Sequence, residues 1–200
     1  MTKHYHSALK NEKEIEKELD QCIFDNGIAF HYDINKSDTL PSYFDKCDVL
    51  YAEIPWRAGI EKFNERVGSN QTYLDFMTSL SNIINNTKKP IIIPSGKLNQ
   101  RHLPKADQVF ETKLNGANAV VNVYNYHYTG NTEDIFAIIE DLSVSFNCIG
   151  DFCCGYGNSG IPFLLKNKGF VLSDYNKKCI YFIKNYYEDI LKRERLRKSA

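Results

Sequence analysis

Residues 151–160 read DFCCGYGNSG: an acid closes an apolar stretch, and glycines follow at Gly155, Gly157 and Gly160. Glycines at such a point allow a tight turn from strand to helix and let a ligand approach the main chain. A second acid, Asp174, ends the next apolar stretch, FVLSD, 23 residues after Asp151. In an open α/β sheet an acidic side chain there accepts hydrogen bonds from ribose hydroxyls. The pair reads as a nucleoside-cofactor site. The glycines satisfy the dinucleotide pattern G-x-G-x-x-G, yet Asp151 stands ahead of the first of them, where it would repel a pyrophosphate. An acid there suits a ligand with an ammonium and a sulfonium, and S-adenosylmethionine meets that requirement better than NAD.

The elements that must position these residues alternate along the chain. Residues 28–32 (IAFHY), 49–53 (VLYAE), 90–94 (PIIIP), 148–152 and 170–173 read as strands. Residues 73–84, 132–142, 160–166 and 176–191 carry helical spacing, the second of these with Thr132 as a candidate cap. Residues 108–114 and 118–124 alternate about Asn115-Gly116, a strong hairpin signal. Strands separated by helices imply a mostly parallel sheet covered on both faces, with the hairpin as an antiparallel edge. Only the ends are strongly charged. Residues 10–20 read as a solvated helix and residues 192–198 as a basic helical tail.

Composition fits that frame. Two hundred residues, 42% hydrophobic and 25% charged, suit a single domain with its own core and exclude a disordered chain. Twenty-five basic residues balance 25 acidic ones, so no global field draws nucleic acid, and any contact must be local. No apolar run reaches the ~18 residues of a membrane span, and the polar start is unlike a signal peptide, so a cytoplasmic protein is expected. The six cysteines form no C-x-x-C pair and read as reduced, mostly buried thiols. His4, His6, His31 and His102 show no ligand spacing, and no metal site is expected.

From His127 to Tyr186 the sequence resembles the motif X, I and II block of amino-DNA methyltransferases, which methylate adenine N6 or cytosine N4. Their glycine motif, D-P-F-x-G-S-G-T-T, is matched by residues 151–159, and their acidic strand end with N-x-x-Y by Asp174-Tyr175-Asn176 and Tyr181. Their H-P-T-x-K-P motif is matched in part by His127 and Thr129, with Asn131 and Thr132 in place of Lys and Pro. The resemblance implies cofactor contacts at Asp151, Phe152, Cys153, Gly155, Gly157, Asp174, Tyr175, His127 and Thr129.

Upstream, Glu53-Ile54-Pro55-Trp56 looks like a degenerate form of the family's catalytic (D/N/S)-P-P-(Y/F/W). Its place before the glycine loop gives the circularly permuted order of the family's β class. The resemblance then implies a Rossmann-like α/β fold with seven strands, residues 27–187 forming the core between charged helical ends at 1–26 and 188–200. It also implies roles. Glu53 accepts a hydrogen bond from the target amine, the Ile54 carbonyl takes the second, Pro55 stiffens the loop, and Trp56 stacks on an extruded base. Glu53 is one methylene longer than the usual Asp, and Ile54 lacks the first proline's rigidity.

Three functions follow as alternatives. The first is methylation of adenine N6, or cytosine N4, in DNA. The second is methylation of another amine acceptor, RNA or a free nucleotide. The third is a cofactor-binding subunit without catalysis. No insertion is long enough to read a DNA sequence, so a protein partner or a second copy of the chain is expected to supply target selection. Phosphate contacts fall to Arg57 and to the tail residues Lys192, Arg193, Arg195 and Arg197.

Overall fold

Runs of aliphatic residues without polar alternation need a sheet covered on both faces, and the chain builds one. The computed structural model describes residues 17–54, 59, 61–62 and 70–199. Among them eight strands form a single sheet: β1 (Gln21–Phe24), β2 (Gly27–His31), β3 (Val49–Tyr51), β4 (Ile91–Ser95), β5 (Gln108–Leu114), β6 (Ala117–Tyr124), β7 (Cys148–Asp151) and β8 (Gly169–Asp174). Across the sheet they run β1-β2-β8-β7-β3-β4-β6-β5. The middle five, from β2 to β4, are mutually parallel. Antiparallel strands flank them, β1 on β2 and the β5–β6 hairpin on β4.

Helices among the described residues cover the two faces: α1 (Tyr73–Asn86), α2 (Ile135–Ser145), α3 (Ile161–Leu165) and α4 (Lys177–Lys198). On one face Val49, Tyr51, Ile149 and Leu172 pack with Ile138 of α2, Phe163 of α3 and Ile180 and Ile183 of α4. On the other, Leu50, Ile91, Ile93 and Val171 pack with Met77, Leu80 and Ile83 of α1. Ile91, Ile92 and Ile93 alternate between the faces and are all fully buried, which explains a strand with no polar position. Each such side chain contributes roughly 1.5–3 kcal/mol. No helix among the described residues is long and apolar enough to cross a membrane.

The expected hairpin is present, with Asn115 and Gly116 both at positive φ (50° and 82°) as its turn requires. Three expectations need correction. The sheet has eight strands rather than seven, because Gln21–Phe24 pairs with β2. Asp25-Asn26 forms the two-residue turn that closes that pair. The part of the expected helix 10–20 that lies within the described residues, 17–20, is not helical. Helix α2 starts at Ile135 rather than Thr132, since the Asp134 carboxylate accepts the Ala137 amide at 2.8 Å and caps it there.

Candidate active site

β7 and β3 lie side by side, with Tyr51 opposite Asp151. From them the chain leaves in opposite directions. β7 leads through α3 to β8 on one side, and β3 leads through α1 to β4 on the other, with α1 on the opposite face from α3. Such a divergence opens a crevice at the carboxyl ends of the strands. The glycine loop and Glu53 both sit at that end.

Asp151 is buried, and its own loop wraps around it. One carboxylate oxygen accepts the Cys153 amide at 3.0 Å, and the other accepts the Ser159 hydroxyl. Beyond it, Gly155 and Gly157 hold positive φ of 50° and 79°. They do so for different reasons. A Cβ on Gly157 would meet Ile183 Cγ1 at 2.9 Å, whereas a Cβ on Gly155 would meet nothing within 4 Å. Gly157 is therefore seated against α4, where the Tyr187 hydroxyl donates to its carbonyl. Gly155 faces open space. Asp174, at the end of β8, fixes Gly155 from the other side: one carboxylate oxygen accepts the Gly155 amide at 2.8 Å and the other the Asn176 amide at 2.8 Å.

Glu53 continues the line of β3. Leu50, Ala52 and Ile54 donate their amides to Pro90, Ile92 and Pro94 at 2.8, 3.2 and 3.0 Å, the even spacing of a parallel ladder. Side chains alternate along it, and Ala52 and Ile54 pack on the α1 face, so Glu53 shares the other face with Tyr51. Burial pushes the Glu53 carboxyl up to about 7. It pushes Asp151 up to about 8, opposed by the Ser159 and Cys153 hydrogen bonds and reinforced by the charges of Glu53 and Asp174. Asp174 is raised as well, again by burial, against its bonds from Asn176 and Gly155. Three carboxyls thus gather at one end of three adjacent strands in a poorly solvated site. A bound cation would relieve that strain.

The structure brings together Asp151, Cys153, Gly155, Gly157, Asp174 and, from β3, Glu53 and Ile54. Phe152 does not join them: its ring is buried on the α1 face, edge-on to Phe44 at 6.4 Å. Tyr175 stands beside His31, ring centroids 5.8 Å apart. The segment holding His127 and Thr129 is tied elsewhere. Tyr128 exchanges hydrogen bonds with the Gln108 side chain on β5 and donates to Asp141 of α2, and β5 is four strands from β7. Pro55, Trp56 and Arg57 lie outside the described residues.

The basic tail is the last part of α4, which starts beside Asp174 and runs away from it. At 1.5 Å per residue, Lys192 is about 24 Å along the axis from the Asn176 cap. Two of its arginines are engaged within the helix, Arg193 with Asp189 at 2.5 Å and Arg197 with Glu194 at 2.8 Å. Sequence reasoning missed Ile183, Tyr187 and Tyr51. The first two belong to an apolar stripe with Ile180 at helical spacing, and that stripe was the available signal.

No family model matches the sequence, and no curated protein matches it. Solved structures do match the fold. M1.HpyAVI, solved as its SAM complex, superposes with a TM-score of 0.50 at 10% identity, covering 78% of this chain and 98% of that one. M1.HpyAVI in a second structure gives 0.46 at 11% identity over 79% and 96%. TTHA0409 from Thermus thermophilus gives 0.45 at 10% identity over 70% and 85%. The first of these likenesses, with the strand order above, shows the fold: a Rossmann-like, mostly parallel α/β sheet with an antiparallel hairpin, shared with M1.HpyAVI.

Proposed function

We propose that the chain is an S-adenosylmethionine-dependent methyltransferase acting on an exocyclic amine of a nucleobase, adenine N6 in DNA. The observation that carries the reading is the convergence of Glu53, two residues past β3, with the Asp151 loop that leaves β7, at the switch point of the sheet. M1.HpyAVI, solved with SAM bound, supports the choice of cofactor. The order of elements, with Glu53 before the hairpin and the glycine loop after it, supports reading the chain in the permuted order.

The residues present fit the cofactor. Asp174 accepts from the Gly155 and Asn176 amides and from the Cys179 thiol, and keeps acceptor capacity for a ribose hydroxyl. Gly155 leaves room beside the loop. Asp151 stays behind the loop, shaping it and lending negative charge to a site that would hold a cation. When bound, the cofactor supplies an electrophilic methyl group on a sulfonium. The chain's own residues do the rest. Glu53, as carboxylate, accepts an N–H hydrogen bond from the target amine and takes the proton that the amine sheds after the N–C bond forms. An acid near 7 is matched to that work at neutral pH. The Ile54 carbonyl takes the second amine hydrogen, its own amide being committed to Pro94. Trp56 stacks on the extruded base and Pro55 stiffens the loop.

Arg57 and the tail residues Lys192, Arg193, Arg195 and Arg197 contact phosphates. A partner protein or a second copy supplies target selection. The balanced charge and the distance of the tail from the site favour, as a second reading, a free nucleotide as the amine-bearing acceptor. Calorimetry tests the cofactor. Heat with S-adenosylmethionine and S-adenosylhomocysteine, and none with NAD, is expected; the reverse would overturn the proposal.

A further inference from the structure

Tyr51 is 1% exposed, and its hydroxyl has no hydrogen-bond partner among the described residues. A buried donor left unpaired costs about 1–3 kcal/mol, so its retention asks for a use. It lies on the same face of the β3 line as Glu53 and opposite Asp151 in the sheet. The charges of both acids bear on it, after burial, in holding its phenol in the neutral, donating form.

Among the acids of the site, Glu53 has the most acceptor capacity to spare. Asp151 has one oxygen on the Cys153 amide and the other on the Ser159 hydroxyl. Asp174 accepts from Gly155, Asn176 and the Cys179 thiol. Glu53 is the acid of this cluster with no hydrogen bond among the described residues, and it is half-buried rather than sealed. The hydroxyl is enclosed, so no substrate can touch it directly. It can act only through a neighbour.

We infer that Tyr51 is a positioning residue that donates a hydrogen bond to the Glu53 carboxylate when that acid ionises, fixing its orientation toward the substrate amine. The inference rests on the proposed role of Glu53. The other groups facing this pair are the carboxyl of Asp151 from β7 and, beyond it, that of Asp174 from β8. β4 presents Ile92 and Pro94, the loop presents the neutral thiols of Cys153 and Cys154, and α3 (Ile161–Leu165) carries no charge. No described cation competes for Glu53 there.

The test is Tyr51→Phe, which removes one oxygen and leaves the ring. Its melting temperature should equal or exceed that of the wild type. The titration midpoint of the Glu53 carboxyl carbon, followed by NMR and assigned with Glu53→Gln, should rise by about one pH unit. The acid limb of the methyl-transfer pH profile should rise with it, while KM for S-adenosylmethionine stays unchanged. Should the variant fail to fold, 3-fluorotyrosine placed at position 51 strengthens the donor and should lower the midpoint instead. A midpoint that moves in neither protein overturns the inference, as does a fall in melting temperature with no shift. The titration needs neither cofactor nor DNA. A shifted midpoint in a chain that transfers no methyl group therefore supports the pair and overturns the functional reading alone.

Discussion

The Asp174 carboxylate holds the Gly155 amide at 2.8 Å, joining the end of β8 to the loop that leaves β7. One side chain thereby sets the loop's position and offers its remaining lone pairs to the crevice. Asp174→Ala removes both functions. It should weaken S-adenosylmethionine binding by roughly 1.5–3 kcal/mol, a loss of about ten- to a hundredfold, read by calorimetry. Asp174→Asn retains one acceptor oxygen and should fall between the two.

The two glycines of the loop should separate binding from stability. Gly157→Ala strains a residue at φ 79° and drives a methyl group into Ile183, so a loss of about 1–3 kcal/mol in unfolding experiments is expected. Gly155→Ala carries only the backbone cost of φ 50°, about 1 kcal/mol, but fills the space beside the loop. Its larger effect should be on cofactor affinity. Equal behaviour of the two variants in both assays would contradict the loop's proposed role.

The raised carboxyls give stability a defined pH dependence. Asp151 near 8 and Glu53 near 7 lie above their ordinary unfolded values, so the folded state binds more protons than the unfolded one between roughly pH 4 and 8. Their contribution is present at the acid end of that window and is lost as pH rises through it. Asp151→Asn should flatten the decline in melting temperature and make the variant the more stable protein at pH 8. A wild-type melting temperature that rises across the window would contradict this.

Binding of a sulfonium cation should reverse the same shifts and expel protons. Calorimetry near pH 7 in buffers of different ionisation enthalpy should show proton release with S-adenosylmethionine. Less release is expected with the uncharged thioether of S-adenosylhomocysteine.

Much of this is legible in the sequence because turn chemistry and apolar runs are local. Asn115-Gly116 marks its hairpin, and the alternation gives the β5 span to the residue. Asp151, Gly155, Gly157 and Asp174 can be paired because strand ends and glycines report their own geometry. What escapes depends on contacts distant in sequence. Tyr187 secures Gly157 from 30 residues away, and nothing local distinguishes it from a core aromatic. Phe152 follows Asp151 directly, yet alternation turns it to the α1 face. Motif likeness points His127 and Thr129 at the cofactor, while the bonds of Tyr128 to Gln108 and Asp141 draw that segment to the β5 side.

The tail offers a test of the DNA contact. Its separation of about 24 Å from the site corresponds to some seven base pairs at about 3.4 Å each, so both could meet one duplex only at separated phosphates. Ending the chain after Leu191 should lower DNA affinity and flatten its salt dependence, leaving cofactor affinity unchanged. A gel-shift series over salt concentration reads both slopes.

The central claim is tested most directly by incubating the purified chain with DNA and S-adenosylmethionine carrying a labelled methyl group, then identifying the labelled nucleoside by mass spectrometry. The account predicts label on adenine N6 with the wild type and none with Glu53→Ala, at equal cofactor affinity. Equal labelling by Glu53→Ala, or no label from a wild type that binds the cofactor and is offered DNA, RNA and nucleotides, would contradict it.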